Sequence, residues 1–203
     1  MEQRTVEWHK ARLGKVTASR IADVMAVSKS GVAATRQNYE AQLIAERLSG
    51  NPTPGFTNAA MQWGTEQEPN ARSAYSFIVD TNVEEIGFID HPSIKMSGAS
   101  PDGLIGKDGL VEIKCPNTAT HLRFLEDEKI ERKYRYQMNW QMACAGRQWC
   151  DFVSYDPRLP DRFGIKIIRV MRDDTLISDI EYEVAEFLAG IDDKIRDLDK
   201  RYG

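Results

Sequence analysis

Apolar residues at Ile177, Ile180, Val184, Leu188, Ile191, Ile195 and Leu198 keep three- and four-residue spacing through the C-terminal stretch. That stripe predicts one long amphipathic helix. Tyr39, Leu43, Ile44 and Leu48 form a second stripe, predicting a helix from Arg36 to Leu48 with Gly50 at its end. Ahead of it, Thr17-Ala18-Ser19 offers hydroxyls to cap a short helix over Arg20 to Met25. A third helix is expected over Asn58 to Phe77, with Gly64 and Pro69 as its weak points. Strand composition then takes over at Val83 to Ile89, Ile94 to Ala99 and Leu110 to Cys115. Helical patterning returns over Thr118 to Glu128 and over Glu131 to Ala145, where Gly146 can terminate it. Trp149 to Tyr155 and Gly164 to Val170 read as two further strands. Helices on both sides of a block of strands predict an α/β fold with a central mixed β-sheet flanked by helices. No repeat or linker divides the 203 residues, so one domain is expected over 1–203.

Within that pattern the run SPDGLIGKDGLVEIKC, from Ser100 to Cys115, is chemically unusual. A strand sends alternate side chains to opposite faces, so Val111 and Ile113 share one face while Glu112 and Lys114 share the other. If both faces are covered, a carboxylate and an ammonium need partners there, because unpaired buried charge is costly. A divalent cation held by Asp102 and Glu112, with Lys114 beside it, supplies one. Mg²⁺ suits such a site, since it binds hard oxygens, needs few carboxylates and keeps several waters. A metal-bound water can attack phosphorus while the lysine orients it or stabilises the pentavalent phosphate. Glu-x-Lys alone is weak evidence, as about one chance occurrence is expected in a chain of this size. The Pro-Asp turn upstream and the apolar strand are what lend it weight.

Charge alters the picture only locally. Asp173 to Gly203 carries ten acidic against four basic residues, a balance of −6, so the remainder of a chain with formal net charge −4 stands at +2. Positive clusters around Lys10–Arg20 and Arg132–Arg135 are compatible with one basic groove. No apolar run approaches a membrane span. Three cysteines without Cys-x-x-Cys spacing argue against disulfides and zinc and fit a reducing cytoplasm.

Several segments together resemble the lambda exonuclease (YqaJ-type viral recombinase) family within the PD-(D/E)XK nucleases. They are Trp8-His9-Lys10-Ala11-Arg12-Leu13-Gly14 with Thr17-Ala18-Ser19, Trp63-Gly64-Thr65-Glu66-Gln67-Glu68, and Ser100-Pro101-Asp102-Gly103. Glu112-Ile113-Lys114-Cys115-Pro116, Tyr136-Gln137-Met138 and Tyr155-Asp156-Pro157-Arg158 complete the set. The resemblance implies a restriction-endonuclease-like core and a Mg²⁺-dependent enzyme, with Mn²⁺ as a substitute. Such an enzyme digests one strand of linear duplex DNA from a 5′ end to 5′-mononucleotides, leaving 3′ tails for recombination. It also implies metal ligation by Asp102, Glu112 and the Ile113 carbonyl, with Lys114 acting on the attacking water. Glu68 would lie close by, and Gln137 would hold the nucleophile or a phosphate oxygen, with Gln141 one turn on as its possible confusion. Arg12 matches the family's 5′-phosphate arginine, with Ser19 and Ser100 as hydroxyl donors; for Ser19 a helix-cap role is an equal alternative. Lys29 stands where the family has an arginine in a DNA-gripping loop, giving charge without the bidentate fork. Met61 falls at the position of a strand-separating wedge, an ordinary core methionine being the alternative. A ring-shaped homotrimer, a single-strand annealing protein as partner, and a phage or prophage setting in a bacterial cytoplasm are implied likewise.

Two other readings share these residues. One is an endonuclease with the same Asp102, Glu112 and Lys114; the other is a DNA-binding scaffold with a retired nuclease fold. His9, His91 and His121 lack ligand spacing and read as structural or surface groups. Trp8, Trp63, Trp140 and Trp149 read as core rather than stacking platforms.

Overall fold

The computed structural model describes residues 1–28, 31–55 and 58–203. The first half of the chain forms α1 (Val6–Arg12), β1 (Val16–Thr17), a 3-10 turn at Ala18–Arg20, α2 (Ile21–Val24), β2 (Val27–Ser28), β3 (Gly31–Val32), α3 (Ala34–Ser49) and α4 (Ala59–Val79). Short strands follow: β4 (Val83–Glu84), β5 (Ile89–Asp90), β6 (Ser97–Ala99), β7 (Gly103–Ile105) and the longer β8 (Gly109–Lys114). The remainder is α5 (Thr118–Asp127), α6 (Arg132–Ala145), β9 (Trp149–Tyr155), α7 (Asp161–Gly164), β10 (Ile165–Met171) and α8 (Asp174–Tyr202).

Five strands make a mixed sheet in the order β10-β9-β8-β7-β4, with β8 and β9 parallel and the other neighbours antiparallel. A smaller sheet, β1-β6-β5, pairs β1 and β6 in parallel. Strand β8 is therefore central, and its side chains divide as alternation requires. Leu110 packs with Phe124, Met138, Met142 and Phe152 beneath α5 and α6. Val111 and Ile113 pack on the other face with Ala71 and Tyr75 of α4. A third cluster joins Val16, Tyr39, Leu43 and Trp140 to Ile180, Val184 and Leu188 of α8. Helix α6 borders two clusters at once. Tyr136 and Trp140 belong to the α8 cluster, Met138 and Met142 to the sheet cluster.

Several expectations change in detail. Val83 to Ile89 is not one strand but β4 and β5, which sit in different sheets. Between them Gly87 passes so close to the Met1 carbonyl that a Cβ would collide with it. The strand expected from Ile94 starts at Ser97, because the His91 ring accepts the Ser93 and Ile94 amides at 3.3 and 3.1 Å and curls residues 92–96 into a turn. The hydroxyl cap expected at Thr17 or Ser19 is not made. Instead the Thr17 amide donates to the Tyr39 hydroxyl at 3.1 Å. Helix α4 runs through Pro69 unbroken. The carbonyl that proline leaves unpaired belongs to exposed Thr65, where water can satisfy it. Gly50 and Gly146 end α3 and α6 at φ +67° and +64°, as expected.

Candidate active site

The hairpin between β7 and β8 turns at Gly106, whose φ of +51° favours glycine, and pairs Gly103 with Val111. That register brings the Pro101-Asp102 turn alongside the end of β8. Asp102 Oδ2 accepts the Ile113 amide at 2.7 Å, so the two acidic residues are locked to one strand. Glu112, only 1% exposed, points toward α6. Its Oε1 accepts from Lys114 Nζ and from Gln137 Nε2 at 2.7 Å; its Oε2 accepts from Gln141 Nε2 at 2.6 Å. The two glutamines are one turn apart on α6, on the ridge between its two core-facing sides.

Desolvation, then the Glu112 carboxylate, push the Asp102 pKa well above the ordinary carboxylate range; Lys114 and the Ile113 amide oppose the shift, and Glu68 adds to it. Burial works against the Lys114 ammonium, yet Glu112 and Asp102 outweigh it and hold its pKa above that of a free lysine. Two carboxylates forced together in a desolvated cleft form a set of hard oxygens that a divalent cation would relieve. Among the described residues no group of three His, Cys, Asp or Glu side chains converges on such a point. The donor set thus fits an ion that keeps much of its water, as Mg²⁺ does, better than zinc. Buried Gln141 Oε1 has no donor among the described residues, which leaves one acceptor beside Glu112.

Next to the Pro101-Asp102 turn, Arg12 Nη1 donates to Ser100 Oγ at 3.3 Å and Trp8 Nε1 donates to the same oxygen at 2.9 Å. The Arg12 guanidinium lies 4.0 Å from the Trp8 ring centroid. Burial lowers its pKa, with only Tyr39 and Glu46 opposing at longer range. Among the described residues no carboxylate pairs with it, so a partly desolvated cation faces a polar cavity of about 170 Å³ shared with His9, Lys15 and Gln42. Parallel pairing sets Val16 opposite Ser97 and Thr17 opposite Gly98, so Ser19 and Ser100 leave the same end of adjacent strands. Ser100 then precedes Asp102 by two residues.

Residues 7–148 match the YqaJ-like viral recombinase domain, well over half the chain. The chain belongs to that family. The alkaline exonuclease LHK-Exo from Laribacter hongkongensis is 54% identical, with TM-score 0.91 over 97% of both chains. Its complex with dAMP superposes equally well, at 55% identity and TM-score 0.91, again over 97% of each chain. A phage-related exonuclease from Haemophilus somnus shares the fold at 16% identity, with TM-score 0.75 over 91% of this chain and 96% of its own. The mimivirus protein R354, from Acanthamoeba polyphaga mimivirus, is 25% identical over 166 residues. That match covers 75% of this chain but only 29% of R354, so the chain spans less than a third of that relative's length. The solved structures it resembles at this identity are exonucleases, which supports reading the YqaJ-family chain as a nuclease. Among the described residues no helix is long and apolar enough to cross a membrane.

The geometry gathers Asp102, Glu112, Ile113, Lys114 and Gln137 into one cluster and Arg12 with Ser100 into a second. Ser19 is exposed and Met61 is 53% exposed on the first turn of α4, so Met61 is not a core methionine. Lys29 lies outside the described residues. Glu68 is bound by Arg72 Nη2 at 2.7 Å and by Arg4, while Arg72 Nε reaches the Asp102 carbonyl at 3.3 Å. Neither arginine was singled out from sequence; Arg72, four residues past Glu68, carried a helical-pair signal that could have found it. Trp140 is core, and half-buried Trp63 and Trp149 pack against the cluster of Val111 and Tyr75, as expected; half-buried Trp8 belongs to no core cluster, and Trp8, Trp63 and Trp149 hold Arg12, Arg158 and Arg169 over their rings. His91 and His121 are buried structural groups. The three cysteines are buried and free.

Proposed function

We propose that this chain is a Mg²⁺-dependent 5′→3′ exonuclease that digests one strand of linear double-stranded DNA to 5′-mononucleotides. The observation that carries this reading is the spacing along one strand-turn. Ser100, tied to the Arg12 guanidinium, stands two residues from Asp102, which is itself bonded to the strand bearing Glu112 and Lys114. An anion pocket that close to a carboxylate pair suits an enzyme that counts one nucleotide from a phosphorylated end. The complex of LHK-Exo with dAMP, a single nucleotide, supports the same product class.

Asp102, Glu112 and the Ile113 carbonyl would hold Mg²⁺, or Mn²⁺ in its place, which when bound acidifies a water and offsets phosphate charge. Lys114 and Gln137, which both donate to Glu112, would also be placed to donate to the attacking water or to phosphate oxygens. Glu68, held by Arg72 and Arg4, keeps a further carboxylate at the cleft. Arg12 and Ser100 grasp the terminal phosphate, with Ser19 at the same strand end. Exposed Met61 would wedge the terminal base pair, and Lys29 would grip the duplex backbone. A homotrimer ring around the DNA and a single-strand annealing protein as partner complete the proposal, in a phage or prophage recombination role.

The test is digestion of 5′-phosphorylated linear duplex and of closed circles with Mg²⁺. The expected result is mononucleotide release from linear DNA only, lost by at least about 10³-fold in Asp102→Ala and Glu112→Gln, with end binding kept by the Glu112→Gln protein. Arg12→Ala should erase the preference for 5′-phosphate over 5′-hydroxyl ends. Cutting of circles would favour an endonuclease; binding without any release would favour a scaffold.

A further inference from the structure

The segment Tyr155-Asp156-Pro157-Arg158 has no part in the chemistry above, yet it is built around an arginine with unusual constraints. Arg158 Nε donates to Asp156 Oδ1 at 2.6 Å, and Nη2 donates to Asp156 Oδ2 at 3.0 Å and to the Pro116 carbonyl at 3.1 Å. Its guanidinium lies 4.4 Å from the centroid of Trp63 on α4. Clamping Asp156, which is fully buried, explains those contacts. It does not explain the remaining edge. Nη1 has no partner among the described residues, and the side chain is 44% exposed. The plane is thus fixed by four contacts while one pair of donors faces outward, so little side-chain freedom is left to lose on binding an anion.

Its place decides which anion. Pro116 follows Lys114 by two residues, a reach of at most about 7 Å. Trp63 precedes Glu68 by five residues on α4, about 7 Å along the axis. Exposed Met61 lies farther out on the same helix end. Ser100, bonded to Arg12, follows β6 of the smaller sheet, Asp102 leads into β7, and Pro116 and Asp156 follow the neighbouring strands β8 and β9, so strand order runs from Arg12 through Asp102 to Arg158. A strand with its 5′-phosphate at Arg12 passes the Asp102–Glu112 pair and then meets Arg158 before Met61. We propose that Arg158 grips the DNA backbone phosphate immediately 3′ of the scissile phosphate, holding the downstream strand in line for the cut. This inference rests on the exonuclease reading.

The experiment uses Glu112→Gln protein as a non-cutting binder and 5′-phosphorylated duplexes carrying one neutral methylphosphonate at successive positions. Binding is read by fluorescence anisotropy over a salt series. With Arg158 present, the methylphosphonate just 3′ of the scissile position should weaken binding about tenfold. With Arg158→Gln added, that penalty should vanish and the slope of log K against log salt should shrink by about 1. A second variant, Asp156→Asn/Arg158→Gln, leaves no uncompensated buried carboxylate and should behave likewise. A purely structural arginine would lower the melting temperature and move neither readout. Equal penalties with and without Arg158, or an unchanged slope, overturn the assignment. If unmodified protein still digests linear duplex in that case, Arg158 alone is refuted; if it does not, the exonuclease reading falls as well.

Discussion

A carboxylate sealed from water is tolerable only where donors surround it, and Asp156 is such a case. Burial opposes its ionisation, but hydrogen bonds from Arg158 and Thr118 outweigh that and bring its pKa down to about 2. The unfolded chain would ionise it near the ordinary value of about 3.9. A depressed pKa means the folded state binds protons less readily, so this stability is present above about pH 4 and is lost as pH falls toward 2. Asp156→Asn should therefore cost about 2 kcal/mol at pH 7 and progressively less in acid. Urea melts across pH 2–7 check this, and a pH-independent deficit would contradict it. The residue scale is also where sequence was least sufficient. Glu112 and Lys114 were legible because alternation forces them onto one face. Gln141 shares the Glu112 carboxylate equally with Gln137, which only the helix phase against β8 reveals. Arg4 reaches Glu68 from a distant part of the chain, a contact no local pattern encodes.

At the scale of elements, β8 depends on a glycine where its hairpin meets the next strand. Gly109 pairs with Trp149, and a Cβ there would collide with the ring carbons of the indole. Gly109→Ala should destabilise the protein by about 1–3 kcal/mol, because Trp149 must leave its place under Arg169 or β8 must shift. Thermal denaturation measures the loss, and intrinsic fluorescence reports the displaced indole. Long elements were readable in advance: the stripe from Ile177 to Leu198 became α8, and Glu131 to Ala145 became α6 within a residue at its start. Short ones were not. Gly103–Ile105 forms β7 inside a stretch whose glycines read as turn, since its pairing with β8 rather than its own composition makes it a strand. The division of Val83 to Ile89 between two sheets has the same origin in tertiary contact.

Over the whole molecule, charge is sorted by surface. Helix α8 is tied to α3 by opposite charges, Asp192 with Arg47 at 2.7 Å, Glu183 with Arg36 at 2.9 Å and Lys194 with Glu40 at 2.5 Å. The carboxylates of the cleft, by contrast, stand beside basic groups, Glu112 with Lys114 and Glu68 with Arg4 and Arg72. Phe77 and Ile78, at the end of α4, are exposed. Light scattering coupled to size exclusion should give three times the 23.1 kDa chain mass if the ring forms. A monomer at micromolar concentration would remove the ring from the proposal.

Helix α6 commits consecutive side chains to different neighbours: Tyr136 to one core, Gln137 to the cleft, Met138 to another core. Each residue turns the helix by about 100°. Losing a single position upstream of Gln137 would swing a hydrocarbon into the acid cluster and drive an amide into oil. Engineers who wish to splice a reporter or shorten the protein should treat Arg132–Ala145 as indivisible and make their joins at Gly146 instead.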